Sequence, residues 1–243
     1  MNARRTGATA LRVLAQLRHD PRTIALLLAV PCVLQVLVHE LFRDREQVFQ
    51  SLGVPLLGLF PFVAMFIVTS ITMLRERTTG TLERLLTTPI ARGDLLAGYA
   101  LAFAVVAAAQ ATLVSALSFG LLGLESGNRG AVVVLAIANA VLGMALGLFA
   151  SAFARTEFQA VQFMPAFVLP QILLCGLLVP REQMAEWLQA VSAVLPLTYA
   201  YDALARTAED SLDGRFWVDV AVVLAVTVLS LALGAATLRR RTP

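Results

Sequence analysis

Residues 75–89 read RERTTGTLERLLTTP and form the densest charged island in a very apolar chain. On one side lies an uncharged run from Gln47 to Leu74. On the other side, beyond Asp94, lies an uncharged run from Leu95 to Leu124. Each run exceeds the roughly 20 residues that a helix needs to cross the core of a bilayer. The sequence therefore predicts that a loop at residues 75–94 connects two membrane spans.

The island itself has the pattern of a short amphipathic helix. Gly80 stands at the N-cap position, with Glu83 at the third helical position. Three leucines at i, i+3 and i+4 share one face, namely Leu82, Leu85 and Leu86. Pro89 ends the helix soon afterwards. An amphipathic helix of this kind is suited to docking into a groove on a partner.

This pattern, followed by Arg92, Leu96 and Gly98, resembles the signature between spans two and three of ABC-2 type transporter permeases. It is similar to the drug-resistance exporter branch, in which the ATPase is a separate polypeptide. The resemblance implies a cytoplasmic coupling helix seated in a cleft of the ATPase subunit. The partner contacts it implies are Arg75, Glu76, Arg77, Gly80, Thr81, Leu82, Glu83, Arg84, Leu85, Leu86 and Pro89. The alternative is an ordinary solvated loop whose arginines only follow the positive-inside rule.

Composition indicates an all-α polytopic membrane protein, because 58% of the residues are hydrophobic and only 14% are charged. We treat residues 1–243 as one transmembrane domain. All 19 basic residues are arginines. A Walker A loop needs a lysine to reach the phosphates, so this chain is not a P-loop ATPase by itself. We expect no cofactor or metal here, and the resemblance places ATP and Mg²⁺ on the partner subunit. Cys32 and Cys175 are interpreted as packing residues.

Six uncharged runs predict six transmembrane helices. They are Thr23–His39, Gln47–Leu74, Leu95–Leu124, Gly130–Ala154, Phe158–Pro180 and Val220–Leu238. With the N-terminus inside, thirteen arginines fall in cytoplasmic segments and six in exterior segments. The positive-inside rule therefore places both termini in the cytoplasm. The resemblance implies a multi-pass protein of a bacterial plasma membrane.

Residues 1–22 have the pattern of a basic amphipathic helix. Its apolar side consists of Ala10, Val13, Leu14 and Leu17. The opposite side carries Arg5, Arg12, Gln16 and His19. Such a helix is suited to lie in the headgroup layer of an anionic leaflet, and the resembled family has an interfacial helix before the first span. A basic tail that only fixes orientation is the alternative.

Polar amides within the spans are candidates for a substrate path. They are Gln110 in the third run and Gln159, Gln162 and Gln171 in the fifth. The fifth run also contains Pro165 and Pro170, and amides beside prolines suggest a buried face or a water-lined route. For Gln110, interhelical packing is the stronger interpretation. In the fourth run, the spacing of Gly143 and Gly147 indicates close helix packing.

Residues 181–216 hold a 15-residue uncharged stretch, Trp187–Tyr201, which is too short to span a bilayer. Trp187, Pro196, Thr198 and Tyr199 resemble the extracellular re-entrant hairpin of ABC-2 permeases between spans five and six. One position differs: that family commonly has Asn before the Pro-Leu-Thr unit, and here the residue is Leu195. The hydrogen bonding of this turn is therefore an open question.

The sequence thus predicts the permease subunit of an ATP-driven exporter of an amphipathic drug or lipid-like molecule. Its predicted partners are a separate ATPase, a second permease copy (the same or a related chain) and membrane lipids, with no nucleic acid. An ion-coupled secondary transporter is the alternative, although its spans would need ionisable groups that the six runs lack. A membrane-embedded enzyme would need metal or nucleophile motifs that the sequence does not contain.

Overall fold

The computed structural model describes residues 3–81, 91–208 and 211–237, without the side chain of Arg92. Within these ranges the chain forms helices and turns only. In chain order the helices are α1 (Ala3–Arg18), α2 (Pro21–Leu41), α3 (Glu46–Thr78), α4 (Arg92–Gly120), α5 (Arg129–Ala150), α6 (Glu157–Phe163), α7 (Leu169–Leu174), α8 (Glu186–Ser192), α9 (Pro196–Ala208) and α10 (Gly214–Ala236). A π-turn, Met164–Val168, joins α6 to α7, and a 3₁₀ turn, Arg181–Gln183, precedes α8.

Side-chain caps start four of these helices. Asp20, Asn128, Thr156 and Asp213 each accept a hydrogen bond from a backbone N–H of the first turn of α2, α5, α6 and α10. Such caps satisfy donors that have no partner inside the helix. The helix starts are therefore encoded locally in the turns between the apolar runs.

Five helices are long and apolar enough to cross a membrane: α2, α3, α4, α5 and α10. The predicted fifth span, Phe158–Pro180, is instead divided into α6, the π-turn and α7, which follow one another over residues 157–174. Pro165 and Pro170 lie at the starts of the π-turn and of α7, where each removes a backbone donor from the helical ladder. A membrane protein with several apolar helices is shown, and the count of six spans stays a prediction.

Helices α3 and α5 form the centre of the bundle and pack backbone to backbone. A Cβ atom at Gly143 would collide with the carbonyl group of Phe62, and one at Gly147 with that of Phe66. The hydroxyl of Thr69 also donates across this interface to the Met144 carbonyl at 3.2 Å. The predicted packing role of the Gly-x-x-x-Gly spacing is confirmed.

Helix α2 lies at the edge of the bundle. Only 17% of its most apolar segment is buried, against 67% for α3, so α2 presents most of its surface outward. Two buried amides hold it in place. Gln35 on α2 donates to the Gly53 carbonyl at 3.1 Å, and Gln110 on α4 donates to the Leu27 carbonyl.

Helix α1 packs against α4 through the side that the sequence predicts to be apolar. Ala10 and Val13 are buried, and Leu14 and Leu17 pack against the same cluster. Arg12, which was predicted on the opposite side, also contacts α4: its guanidinium donates to the Tyr99 hydroxyl at 2.6 Å. A long arginine side chain can reach a buried partner while its stem covers apolar surface. Placement of α1 at a membrane surface stays a prediction.

The bundle has two ends, which we name by their contents. The α1 end holds α1, the last turn of α3, the α5–α6 turn and the end of α10, which are joined by contacts described below. The hairpin end holds α8 and α9. Helix α8 packs against α7, and α9 packs against α3, α5, α7 and α10. Leu197, Ala203 and Leu204 of α9 are buried in that packing.

Candidate functional site

The last turn of α3 leads directly into the predicted coupling segment. The backbone N–H and the hydroxyl of Thr79 both donate to the Arg75 carbonyl, which closes the helix. Gly80 follows with φ of +72°, a left-handed conformation that side-chain-bearing residues rarely adopt. Gly80 therefore sets the direction in which the chain leaves α3.

Three consecutive charged residues precede this turn, and each reaches a different neighbour. Successive residues of an α-helix point about 100° apart, since 3.6 residues complete one turn. Arg75 faces α6, where its guanidinium binds both carboxylate oxygens of Glu157 at 2.7 and 3.0 Å. Both side chains are more than half exposed, so the pair fixes geometry more than it adds stability.

Glu76 and Arg77 point inward to other helices. The Glu76 carboxylate interacts with the hydroxyl of Tyr99 on α4, which also accepts the hydrogen bond from Arg12 of α1. Arg77 donates to the Thr237 hydroxyl at the end of α10, at 3.3 Å. The end of α3 is thus connected to α1, α4, α6 and α10 through three adjacent residues. We refer to these connections as the α3 tether.

The tether gives Arg75, Glu76 and Arg77 contacts within the chain itself, whereas the sequence assigned them to a partner. Of the other predicted coupling residues, Gly80 and Thr81 lie in the described structure. Leu82, Glu83, Arg84, Leu85, Leu86 and Pro89 lie outside the described residues. Their role stays a prediction.

The four candidate path amides lie in different places. Gln159 and Gln162 line a cleft of about 430 Å³ at the α1 end, beside Arg155. Gln171 lies deeper, where it lines a separate cavity and accepts a hydrogen bond from the Leu197 N–H at 3.4 Å. Gln110 is apart from these three, because it is buried between α4 and α2. The structure therefore brings Gln159 and Gln162 together and leaves Gln110 in a packing contact.

The deeper cavity was not predicted from the sequence. It has a volume of about 380 Å³ and lies between α3, α5 and the α6–α7 segment. Five phenylalanines line it, namely Phe66, Phe149, Phe153, Phe163 and Phe167. Four of them form two i, i+4 pairs with edge-to-face rings, at centroid distances of 5.2 and 5.8 Å. That spacing on both sides of Arg155 is visible in the sequence and could have indicated the cavity.

The turn between α8 and α9 forms its hydrogen bonds without an asparagine at position 195, where this chain has Leu195. Ser192 donates to the Leu174 carbonyl at 2.8 Å, and the Thr198 hydroxyl donates to the Ser192 carbonyl at 2.8 Å. The Tyr199 hydroxyl donates to the Ala193 carbonyl at 2.6 Å. Hydroxyl groups therefore supply the hydrogen bonds of this turn, and no amide at position 195 is needed for them. Trp187 on α8 is 68% exposed, as an aromatic at a membrane surface would be.

Ion pairs hold the hairpin to its neighbours. Arg181 binds Asp202 at 2.7 Å, and Arg206 bridges Asp213 at 3.1 Å and Asp219 at 3.4 Å. Burial raises the pKa of Asp202 to about 6, although Arg181 opposes this shift. Within the described part of the chain, no three His, Cys, Asp or Glu side chains are grouped closely enough to hold a metal ion.

Comparison with known proteins gives one family and several relatives. The sequence profile of the ABC-2 type transporter family matches residues 5–207. "Probable multidrug ABC transporter permease YbhR" of Escherichia coli K12 is 29% identical over 191 residues, which are 76% of this chain and 51% of that protein. "Linearmycin resistance permease protein LnrN" of Bacillus subtilis is 28% identical over 172 residues, which are 69% of this chain and 44% of that protein. The chain spans about half the length of these relatives.

Proposed function

The chain belongs to the ABC-2 type transporter family, and from that premise we propose that it is the permease subunit of an ATP-driven exporter. In this proposal it moves an amphipathic drug or lipid-like molecule out of the cytoplasm or the inner leaflet. A separate subunit binds ATP and Mg²⁺ and hydrolyses the ATP. The printed names of the relatives, a multidrug permease and a linearmycin resistance permease, support this class of substrate.

The α3 tether is the observation that carries the proposal. A segment that receives force from an ATPase must be connected to the helices that it moves. The tether connects the residues directly before this segment to four helices at once. A solvated loop that only satisfies the positive-inside rule would need none of these contacts. We therefore assign Arg75, Glu76 and Arg77 to transmission within the permease.

Contact with the ATPase is left to the residues beyond Gly80. We propose that Leu82, Leu85 and Leu86 fill an apolar groove on the ATPase, with Glu83 and Arg84 at its rim and Pro89 ending the helix. Buried apolar anchors carry most of the energy of such interfaces, and rim charges carry less. The left-handed conformation of Gly80 supports a sharp turn between the tether and this helix.

The membrane arrangement follows from the same proposal. Residues 157–174 form the fifth of six spans, with α8 and α9 as an extracellular re-entrant hairpin and both termini in the cytoplasm. The distribution of arginines supports this orientation in a bacterial plasma membrane. A second permease copy, identical or related, completes the substrate path. The outward-facing surface of α2 offers area for lipids or for that copy.

Ion-coupled secondary transport is the competing function. Helix α10 contains a buried carboxylate, Asp219, which could in principle carry a proton through the membrane. It lies near the start of α10 at the hairpin end and is paired with Arg206. Transport by the assembled exporter should therefore stay dependent on ATP in Asp219→Asn. A proton-coupled carrier would lose transport in that variant.

The test of the proposed function is co-purification of the ATPase together with substrate-stimulated ATP hydrolysis. Leu85→Ala and Leu86→Ala should each lose the ATPase, since removing a buried anchor costs about 2 kcal/mol or more. Glu83→Ala should keep the complex but uncouple hydrolysis from transport. Gly80→Pro should impair both, because proline cannot adopt a positive φ. Leu121→Ala, which removes a leucine that is 79% exposed at the hairpin end, is the control. Normal assembly and transport in all of these variants would rule out the coupling role.

A further inference from the structure

The cleft beside Arg155 and the cavity lined by phenylalanines adjoin each other. Phe153 and Phe163 line both of them, so the two volumes are neighbours, and we treat them as the two parts of one site. The outer part lies at the α5–α6 turn, where Arg155, Gln159 and Gln162 place polar groups beside the rings of Phe153 and Phe163. The inner part lies further along the α6–α7 segment, beside Phe167 and Gln171, and is almost entirely apolar. The outer part of the site thus matches a polar headgroup and the inner part matches an acyl chain, as in a lipid of one leaflet.

The outer part carries an uncompensated positive charge. Glu157 is the nearest carboxylate in sequence to Arg155, but both of its oxygens are bound by Arg75. Among the described residues, the Arg155 guanidinium has no carboxylate partner. Gln159 uses its amide oxygen to accept the Arg155 N–H at 2.8 Å. Hydrogen-bond donors therefore predominate here, and an anion fits them.

The inner part suits a flexible apolar chain. Its volume of about 380 Å³ lies in the range of small-ligand pockets. Phe153 and Phe167 are 61% and 60% exposed, so the cavity opens sideways where a lipid could approach. A concave volume of this size forfeits dispersion contacts when it stays unfilled, and a flexible acyl chain can supply them.

We infer that this two-part site binds an anionic amphiphile taken from the leaflet at the α1 end, with its acidic headgroup at Arg155 and its acyl chain among the phenylalanines. Its use as the place where a substrate enters rests on the proposed export function. The binding itself does not, and it can be measured on the permease without an ATPase.

The experiment uses the purified full chain in nanodiscs of zwitterionic phosphatidylcholine. The probes are a palmitic acid with a diazirine in mid-chain and the matching fatty alcohol, which lacks the charge. After illumination, mass spectrometry locates the crosslinks. We expect the acid to label residues of the phenylalanine cavity at roughly twofold to fivefold lower concentration than the alcohol, the size of effect that one exposed charge contact gives. Excess inorganic phosphate should not displace the acid, because the chain supplies most of the binding.

Two matched pairs of variants separate charge from packing. Arg155→Gln should remove the preference for the acid, whereas Arg18→Gln, which removes an exposed arginine at the same end, should keep it. Phe167→Ala should weaken labelling by both probes about tenfold, as expected for a lost aromatic contact. Phe158→Ala, which removes a 71% exposed phenylalanine of α6 outside the cavity, should not. Each variant is compared with the wild type for monodisperse purification, so that a folding defect is recognised.

Several results would overturn the inference. Equal labelling by acid and alcohol in the wild type would show an apolar pocket without a headgroup site. An equal effect of Arg18→Gln and Arg155→Gln would show general surface charge. Crosslinking between two copies of the chain at this face, in place of probe labelling, would show that a second protomer covers it. None of these results depends on whether an ATPase partner exists.

Discussion

Arg75 shows how a single residue can matter for mechanism while contributing little to stability. Its ion pair with Glu157 is well formed, yet both side chains are largely exposed to solvent. Pairs of this kind contribute about 0.2–1 kcal/mol. What the pair provides is a defined connection between the end of α3 and the start of α6. Its loss should therefore affect coupling more than folding.

We predict that Arg75→Glu and Glu157→Arg each purify like the wild type but reduce substrate-stimulated ATP hydrolysis of the complex. The double variant, in which the charges are exchanged, should restore most of the stimulation because the pair can form again. Arg43→Glu is the matched control, since Arg43 pairs with Glu40 at 3.6 Å at the other end of the bundle. Should the double variant be as impaired as the single ones, the pair itself is not the connection.

Asp202 gives a prediction on pH. Burial raises its folded-state pKa to about 6, above the ordinary aspartate value of 3.8. The folded state therefore binds more protons than the unfolded state between these pH values. The contribution of Asp202 to stability is greatest below about pH 4, falls as the pH rises towards 6, and is constant above that.

Asp202→Asn should remove this part of the pH dependence. Thermal unfolding of the wild type and the variant in nanodiscs, measured from acidic to neutral pH, gives the comparison. Asp213→Asn, at a more exposed carboxylate of the same end, serves as the control. Identical slopes for the wild type and Asp202→Asn would contradict the assignment.

At the scale of helices, the contact between α3 and α5 is the most sensitive to added volume. A single methyl group at Gly147 would meet the Phe66 carbonyl and the Thr69 hydroxyl. Gly147→Ala should therefore destabilise the bundle by about 1–3 kcal/mol, as overpacking does. Gly130→Ala on the same helix meets only an ordinary contact at 3.6 Å, and it should be neutral or slightly stabilising. The melting temperatures of the two variants decide the question, and equal values would refute close packing at Gly147.

The packing of the helices was predicted from the sequence only in part. The Gly143 and Gly147 spacing and the apolar side of α1 are local patterns, and both are found in the structure as expected. The tether could not be predicted, because its partners are 23 to 160 positions apart in the chain and lie on different helices. Tyr99 and Arg12 come together only when the chain folds, and no periodic pattern in the sequence predicts their contact. The π-turn was likewise hidden, since prolines indicate a break in a helix but not its type.

At the scale of the whole molecule, the prediction to test is which loops lie on which side of the membrane. With Cys32→Ser and Cys175→Ala as background, cysteines at Gly127 and Ser211 should react with an impermeant reagent added to intact cells. A cysteine at Thr79 should react only after the cells are opened. Gly127 and Thr79 are exposed in the structure, so accessibility reports the side of the membrane and not burial. The reverse pattern would overturn the proposed orientation and would place the tether away from any ATPase.

The π-turn at Met164–Val168 changes the direction in which the side chains after it face. A π-turn holds one residue more than a turn of α-helix, and one residue corresponds to a rotation of about 100°. That rotation determines which way α7 faces, and it is α7 that presents Gln171 both to the phenylalanine cavity and to Leu197 of the hairpin. Deleting Ala166 would return the segment to α-helical register and turn Gln171 away from both neighbours. The extra residue thus rotates all later side chains of the segment about the helix axis by about 100°. A homologue without it would contact its hairpin through a residue at a different position of the same helix.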